Sequence, residues 1–471
     1  INIFRMLLIL ALLLLVAVVI YCFGINRILG LPPGPPPLPL IGNMLSFQWE
    51  IDQVLLKWKA KYGRIFTVWL PYPMIVIGDH KLLQEHVVKD GDVFIGRKNP
   101  EQLMDITFGG LYGLLFEDNS IVKEQRRFAL RSLHNIGVGS KVAEDTVHNY
   151  AHEVVTRWRN CGDAPVDVTD NIMRAVGNIV WNITFGNTLE FENPLLIKFR
   201  ELQQEQLPKM GGPFMMFIEL FPFLRNFDRF FGSPVKQLKQ MSEEMNQFPR
   251  NAIEATRVAF NADNQPNSYV EAFLGEMKRR EEAGIDMGKG FIIKGIYRHE
   301  SVITSAFDTT VSVLRICILL LVNNPECQRK LQEEMDERIG TRRILYEDQK
   351  LLPYSCAFIQ EVYRTSNLLP LNFLRQTMQD TEIEGIPIRA GTAILPQFSM
   401  VHSDPNEFER PLYFCPERHI NEHGQFVKDP RITPFSVGKR ACLGESLARM
   451  EIFVMLTSFV QNCHFAPVNK V

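Results

Sequence analysis

Pro434-Phe435-Ser436-Val437-Gly438-Lys439-Arg440-Ala441-Cys442-Leu443-Gly444 places one cysteine in a loop crowded with glycine and basic residues, directly ahead of a helix-like segment. That segment, Glu445 to Val460, carries apolar side chains at Leu447, Met450, Phe453, Val454, Leu456 and Phe459. A repeat of this kind is helical rather than strand-like. A thiol at a helix N-terminus, beside Lys439 and Arg440, ionises readily because amide dipoles and cations stabilise the thiolate. The alternative for Cys442 is a half-buried structural thiol.

The 471 residues, 46% hydrophobic and 22% charged, suit a large globular body. A formal net charge of -2 excludes a nucleic-acid binder that works by bulk positive charge. Met6 to Phe23 is an uninterrupted apolar run, with no charge between Arg5 and Arg27. It is long enough to cross a bilayer as a helix, which takes about 20 residues. The competing reading is a cleaved signal peptide, whose apolar core is about 7–15 residues and ends at a small-x-small site; Tyr21-Cys22-Phe23-Gly24 is a poor match. Arg5 and Arg27 balance across the span, so charge leaves its orientation open.

Leu31-Pro-Pro-Gly-Pro-Pro-Pro-Leu-Pro-Leu-Ile-Gly-Asn43 follows, a stiff, extended backbone expected to hold a body at a fixed distance and angle from a membrane helix. The organisation predicted is an anchor over 1–27, a proline-rich hinge over 28–43 and one catalytic domain over 44–471. Eight cysteines, at 22, 161, 317, 327, 356, 415, 442 and 463, lack paired spacing. They read as free thiols in a reducing compartment, with the body on the cytosolic side. Asn182-Ile-Thr is a glycosylation sequon inside an apolar helical stretch, and is read as coincidence. A chain opening on Ile1 rather than Met reads as trimmed.

Residues 44–90 combine a helix-like stretch, Gln53 to Tyr62, with β-rich runs at Ile65–Trp69 and Met74–Ile77. Helical patterns then dominate, at 123–134, 141–159, 166–184, 194–207, 234–259, 267–281, 291–322, 325–338 and 353–365. Short strands return at 381–388 and 392–395. The fold class expected is mainly α with a small β-rich flank. Pro213 to Phe230 concentrates Phe214, Phe217, Phe221, Phe223, Phe227 and Phe230, either as core or as contact with a membrane or an apolar ligand channel.

Two further groups carry chemistry. Glu361-Val-Tyr-Arg364 sets opposite charges three apart on one helix face, where they can pair. Ser305-Ala-Phe-Asp308-Thr309-Thr310 puts an acid and hydroxyls inside a helix that is otherwise apolar to Leu321, an expensive placement unless it is used. The alternative for Thr309 is a bond back to its own preceding turn.

With these residues in hand, Phe435-x-x-Gly438-x-Arg440-x-Cys442-x-Gly444 resembles the heme-ligand loop of the cytochrome P450 family, and Glu361-x-x-Arg364 its paired-charge motif. The resemblance covers residues 28–465 and looks most like the animal microsomal subgroup. It implies the cytochrome P450 fold and a heme b (iron protoporphyrin IX) bound to Cys442. Arg126, Arg375 and Arg440 would meet its propionates, while Arg418 would join Glu361 and Arg364 in a buried structural network. Asp308 and Thr309 would deliver protons to oxygen on the heme. The substrate pocket would draw on Thr107 to Leu115, including Phe108, on Phe214 to Phe217, Ile303, Ala306 and Phe307, and on Leu371 to Leu374.

The activity implied is a monooxygenase that inserts one atom of O2 into a fatty acid, steroid or foreign apolar compound. Electrons would come from an NADPH-dependent flavoprotein reductase, with cytochrome b5 as a second candidate donor. Lys123, Arg126, Arg127, Arg131 and Lys439 would make the cysteine side basic and steer an acidic reductase to it. The location implied is the endoplasmic reticulum membrane. Four places depart from the family pattern: Val122 for a tryptophan, Ala306 for a glycine, His419 for an aromatic residue, and the polar run Tyr297-Arg-His-Glu300. The resemblance also implies a β-hairpin beyond Val471 that completes the pocket. Two alternatives stay open: a reductase-independent heme-thiolate isomerase or dehydratase, and a catalytically weak heme-binding relic.

Overall fold

The computed structural model describes residues 2–47, 50–70, 72–110, 113–117, 121–162, 164–285, 291, 300–369 and 371–468. Its chain divides into two compact units, one of residues 1–99, 369–413 and 430–442, the other of 100–368, 414–429 and 443–471.

The first unit opens with helix α1, Asn2–Ile28. The prolines that follow run extended along strand β1, Ile65–Trp69. There the Thr67 amide donates to Pro33 O at 2.9 Å and its hydroxyl to Pro32 O at 2.9 Å. Asn43, buried, ties off the segment: its amide donates to Trp69 O at 2.9 Å and its Oδ1 accepts from Trp69 N at 2.9 Å. Trp69 Nε1 in turn donates to Asn26 Oδ1 near the end of α1 at 2.8 Å. Proline stiffness is thus reinforced by hydrogen bonds that the sequence reading did not anticipate.

Helix α2, Ile51–Tyr62, leads into β1 and its antiparallel partner β2, Pro73–Ile77. The sheet is completed from the other end of the chain. Strand β6, Ala393–Pro396, pairs parallel with β2, and β3, Arg375–Gln376, pairs antiparallel with β6, giving the order β1-β2-β6-β3. A separate hairpin joins β4, Thr381–Ile383, to β5, Ile386–Ile388. Ile65, Ile75, Ile77 and Ile394 face one cluster with Leu82, Phe94 and Phe398; Phe66, Val68, Val76 and Leu395 face another with Leu55 and Met400. Both faces are covered, and for that reason these strands read as continuous apolar runs rather than alternating ones.

The second unit is helical: α3 Glu101–Phe108, α4 Ile121–Ile136, α5 Lys141–Asn160, α6 Val168–Phe185, α7 Pro194–Met210, α8 Pro213–Leu220, α9 Pro234–Ala259, α10 Tyr269–Glu282, α11 Glu300–Asn323, α12 Pro325–Arg338, α13 Pro353–Thr365 and α14 Glu445–Asn462. Helix starts follow local chemistry. Pro194, Pro234, Pro325 and Pro353 occupy first turns, where the missing N–H costs nothing. Ser140 and Asp167 accept from backbone amides in the first turns of α5 and α6. Glu334 of α12 caps α13, accepting from the amides of Tyr354 at 2.6 Å and Ser355 at 2.9 Å. The expected start of α11 near 291 and the polar run Tyr297–His299 lie outside the described residues, as do the side chains of Glu300 and Ile303.

Helix α11 packs against α6 and α14. Its Ala306–Asn323 portion is also long and apolar enough to cross a membrane, but 44% of it is buried inside the protein. Close approach of α6 depends on Gly177: a Cβ there would lie 2.4 Å from the Phe307 ring. Gly177→Ala is expected to cost about 1–3 kcal/mol through overpacking, read as a lower denaturant midpoint. Adding Phe307→Leu should recover part of that loss.

Candidate active site

In the first unit, the loop that carries Cys442 is closed on itself. The Cys442 amide donates to Phe435 O at 2.8 Å, and Ala441 N to Gly438 O at 3.0 Å across the 3-10 turn Gly438–Arg440. Ser436 adopts a left-handed φ of 64°, which turns the chain within the loop. Gly438, at φ 67°, lies against the π-helical segment Leu83–Lys89, where a Cβ would come within 2.5 Å of Val87 O. Only glycine fits there. The result is a tight turn from which the Cys442 side chain emerges exposed.

Three arginines of the same unit are buried: Arg97, Arg375 and Arg440 at 7%, 1% and 3% exposure. Arg440 Nε donates to Ile95 O at 2.7 Å; Arg375 donates to Val437 O at 2.6 Å and to Ser436 Oγ at 3.1 Å. Arg97 reaches the carbonyls of Phe373 and Leu374 at 3.4 and 3.3 Å, and its guanidinium lies 5.3 Å from the Phe373 ring centroid. Buried guanidiniums are costly unless an anion meets them. Arg440 lies within the cysteine loop and Arg375 is bonded to it through Val437 and Ser436, cationic donors beside an exposed thiol that suit a metal-bearing group with carboxylate arms, so the residues present fit a heme. Arg97 was not among the residues singled out from sequence. Its signal was Gly96-Arg97 directly after the buried pair Phe94-Ile95, at the end of an apolar run. Lys439 is ion-paired with Asp92.

In the second unit, α11 holds Asp308 and Thr309 half-buried. Burial raises the Asp308 pKa, with Arg315 and Arg200 pulling the other way. Arg200 of α7 also pairs with Asp170 of α6, so Asp308 borders a charged cluster rather than dry core. Phe307 is buried against Gly177 and meets Phe199 edge-on at 5.8 Å. Ala306 and Phe108 are half-buried, with Phe108 5.3 Å from Phe116; Phe217 is 37% exposed. Arg126 is half-buried on α4, while Val122 beside it is fully buried. Leu371 belongs to the first unit, packed on the cluster around Leu55. Part of the Thr107–Leu115 stretch, residues 111 and 112, lies outside the described residues.

The charged pair on α13 sits in a larger network. Glu361, fully buried, accepts from Arg364 Nε at 2.9 Å and its terminal nitrogen at 2.7 Å, from Arg418 Nε at 3.0 Å and from the Cys415 amide at 3.0 Å. His419 Nε2 lies 2.9 Å from the second oxygen. The off-pattern histidine is therefore a member of the network, a role that the sequence did not disclose. Burial alone would raise the Glu361 pKa, but hydrogen bonds from Arg364 and His419, the Arg364 charge and the Cys415 amide bring it down to about 2.

A carboxyl held below its unfolded value contributes stability above that value and loses it as pH falls through the folded one. Acid unfolding followed by circular dichroism should therefore show a loss of stability between about pH 4.5 and pH 2 that is smaller in Glu361→Gln. The substitution itself should cost about 3–5 kcal/mol by leaving its cationic partners uncompensated.

Comparison with known proteins agrees with this geometry. The family model described as "Cytochrome P450" matches residues 32–471. The chain is 37% identical over 459 residues to a probable cytochrome P450, CYP36A1, of Caenorhabditis elegans, covering 96% of this chain and 92% of that protein. It is 33% identical to cytochrome P450 2C7 of Rattus norvegicus, covering 92% and 87%, and 30% identical to cytochrome P450 2A6 of Homo sapiens, covering 92% and 86%.

Proposed function

The chain belongs to the cytochrome P450 family of heme-thiolate monooxygenases, and on that premise we propose that it is a membrane-anchored enzyme that hydroxylates apolar organic molecules with electrons drawn from NADPH. The observation that carries this reading is the closed loop that presents Cys442 in a unit with three buried arginines. Cys442 would hold the iron of heme b through its thiolate. Arg97, Arg375, Arg440 and Arg126 would meet the propionates. The heme, when bound, supplies dioxygen activation and C–H oxidation, helped by electron density from the thiolate.

The protein's own part is to position, to exclude water and to move protons. Asp308, half-buried, with its pKa raised by burial and bordered by Arg200 and Arg315, is suited to take protons from solvent and pass them to the Thr309 hydroxyl. By the family resemblance, Phe108, Ala306, Phe307 and Leu371 would contribute apolar surface that favours fatty acids, steroids or foreign compounds over polar substrates. Helix α4 exposes Lys123, Arg127 and Arg131, which suits docking of an acidic flavoprotein reductase or cytochrome b5. Helix α1 has 27 residues, about 40 Å at 1.5 Å per residue, enough to span a hydrocarbon core of about 30 Å. None of the eight cysteines is joined in a disulfide, which favours a body on the cytosolic side of the endoplasmic reticulum membrane.

The ferrous protein under carbon monoxide should give a thiolate-type Soret band, abolished by Cys442→Ala. A histidine-type band, or none, overturns the assignment. Oxidation should need NADPH and reductase; peroxide rearrangement without reductase would support the isomerase alternative instead. Asp308→Asn is expected to lower kcat on the order of 10²-fold with the Soret band intact, measured in a reconstituted reductase assay.

A further inference from the structure

One buried acid takes no part in the chemistry above. Glu451, on α14, is 1% exposed. Its Oε2 accepts from Thr310 Oγ1 at 3.3 Å, and its Oε1 has no hydrogen-bond partner among the described residues. Burial pushes its pKa up to about 8, with the Thr310 hydroxyl pulling the other way. The form present near neutral pH is thus the uncharged acid, since a lone carboxylate in a dry helix seam is strongly disfavoured.

Thr310 is unusual in how it spends its hydroxyl. Thr107, Thr184, Thr365 and Thr457, on other helices, each donate to the carbonyl four residues earlier in their own helix. Thr310 instead reaches across the seam between α11 and α14. Positions two apart on a helix differ by about 200° around its axis. Asp308 therefore faces Arg200 and Arg315 while Thr310 faces α14, with Thr309 between them in sequence.

We infer that protonated Glu451 is a positioning residue for Asp308 and Thr309: by holding Thr310 across the seam, it fixes the rotation of the turn of α11 that carries them. This rests on the monooxygenase reading for its effect on turnover. The protonation state of Glu451 stands apart from that reading. Titratable side chains on the elements packed against α14 include His148 of α5, Cys317 of α11, Glu334 of α12, Tyr363 of α13 and Tyr346 of the turn Tyr346–Lys350. None of them acts on the Glu451 carboxyl, so a pH response at this seam belongs to Glu451.

Infrared spectroscopy of the full-length, heme-loaded resting protein tests the protonation state. The C=O band of a buried protonated carboxylic acid should be present at neutral pH, absent from Glu451→Gln, and lost in the wild type with a midpoint near about pH 8. Product formed per NADPH consumed tests the positioning. It should fall severalfold in Glu451→Leu and in Thr310→Val, without further loss in the double variant. Glu451→Gln, neutral and able to accept from Thr310, should keep its coupling at pH 7 and lack the wild-type decline above pH 8. The inference is overturned by absence of the neutral-pH band, or by a Gln variant as uncoupled as the Leu variant. Should Glu451→Leu fail to fold, the Gln variant's band and pH profile decide the matter. A wild-type protein with the infrared band but no thiolate-type Soret band would sink the monooxygenase reading and leave the protonation result intact.

Discussion

A single, fully buried carboxylate, Glu361, gathers two guanidiniums, an imidazole and a backbone amide. Burying any of these charges alone would be prohibitive, and together they are tolerable only with every lone pair engaged. The arrangement leaves little freedom to the segment 414–429, because Cys415, Arg418 and His419 are all fastened to α13. Gln360, one residue before Glu361, adds bonds to Val427 O at 3.1 Å and from Asp429 N at 3.2 Å. A stretch that carries the 3-10 turn Pro416–His419 is thereby fastened to α13. It is this stretch that hands the chain on to the cysteine loop.

Helix α11 applies the opposite economy. Two of its polar residues, Asp308 and Thr310, are directed to different kinds of surroundings. Asp308 borders arginines and keeps access to exchangeable protons, whereas Thr310 is turned into the dry seam toward an acid that stays neutral. About half a turn of helix thus separates a charged carboxyl environment from an uncharged one. The same α11 side presses Phe307 onto Gly177, so apolar contact and the Thr310 bond both oppose rotation of this turn.

Much of the helical framework was legible because local chemistry marks it. The spans 234–259, 325–338 and 353–365 coincide with α9, α12 and α13, each opened by a proline and carried by a helical apolar rhythm. The cysteine loop and the Glu361-Arg364 pair could be read because their members lie close together in sequence. What escaped were relations between distant segments. Insertion of β6 beside β2 joins residues more than three hundred positions apart, and no local pattern encodes that register. Arg97 is a lone arginine whose meaning depends on Phe373 and Leu374 folding over it. Glu451 left a faint trace, one acid within the apolar run Met450–Leu456, but its state depends on what surrounds it. His419 looked like a defect until its ring nitrogen was seen against Glu361.

The proline-lined segment along β1 also acts as a selvedge for the sheet. Its carbonyls accept from Thr67, yet the prolines have no amide hydrogens to offer on the outer side. The sheet therefore ends there, and no further strand can be recruited at that margin. If α1 held copies of the chain in a membrane, as proposed above, neighbours would meet repeatedly in similar orientations, which is the geometry that favours strand-to-strand adhesion. A finished edge there would let many copies crowd together without knitting into one another.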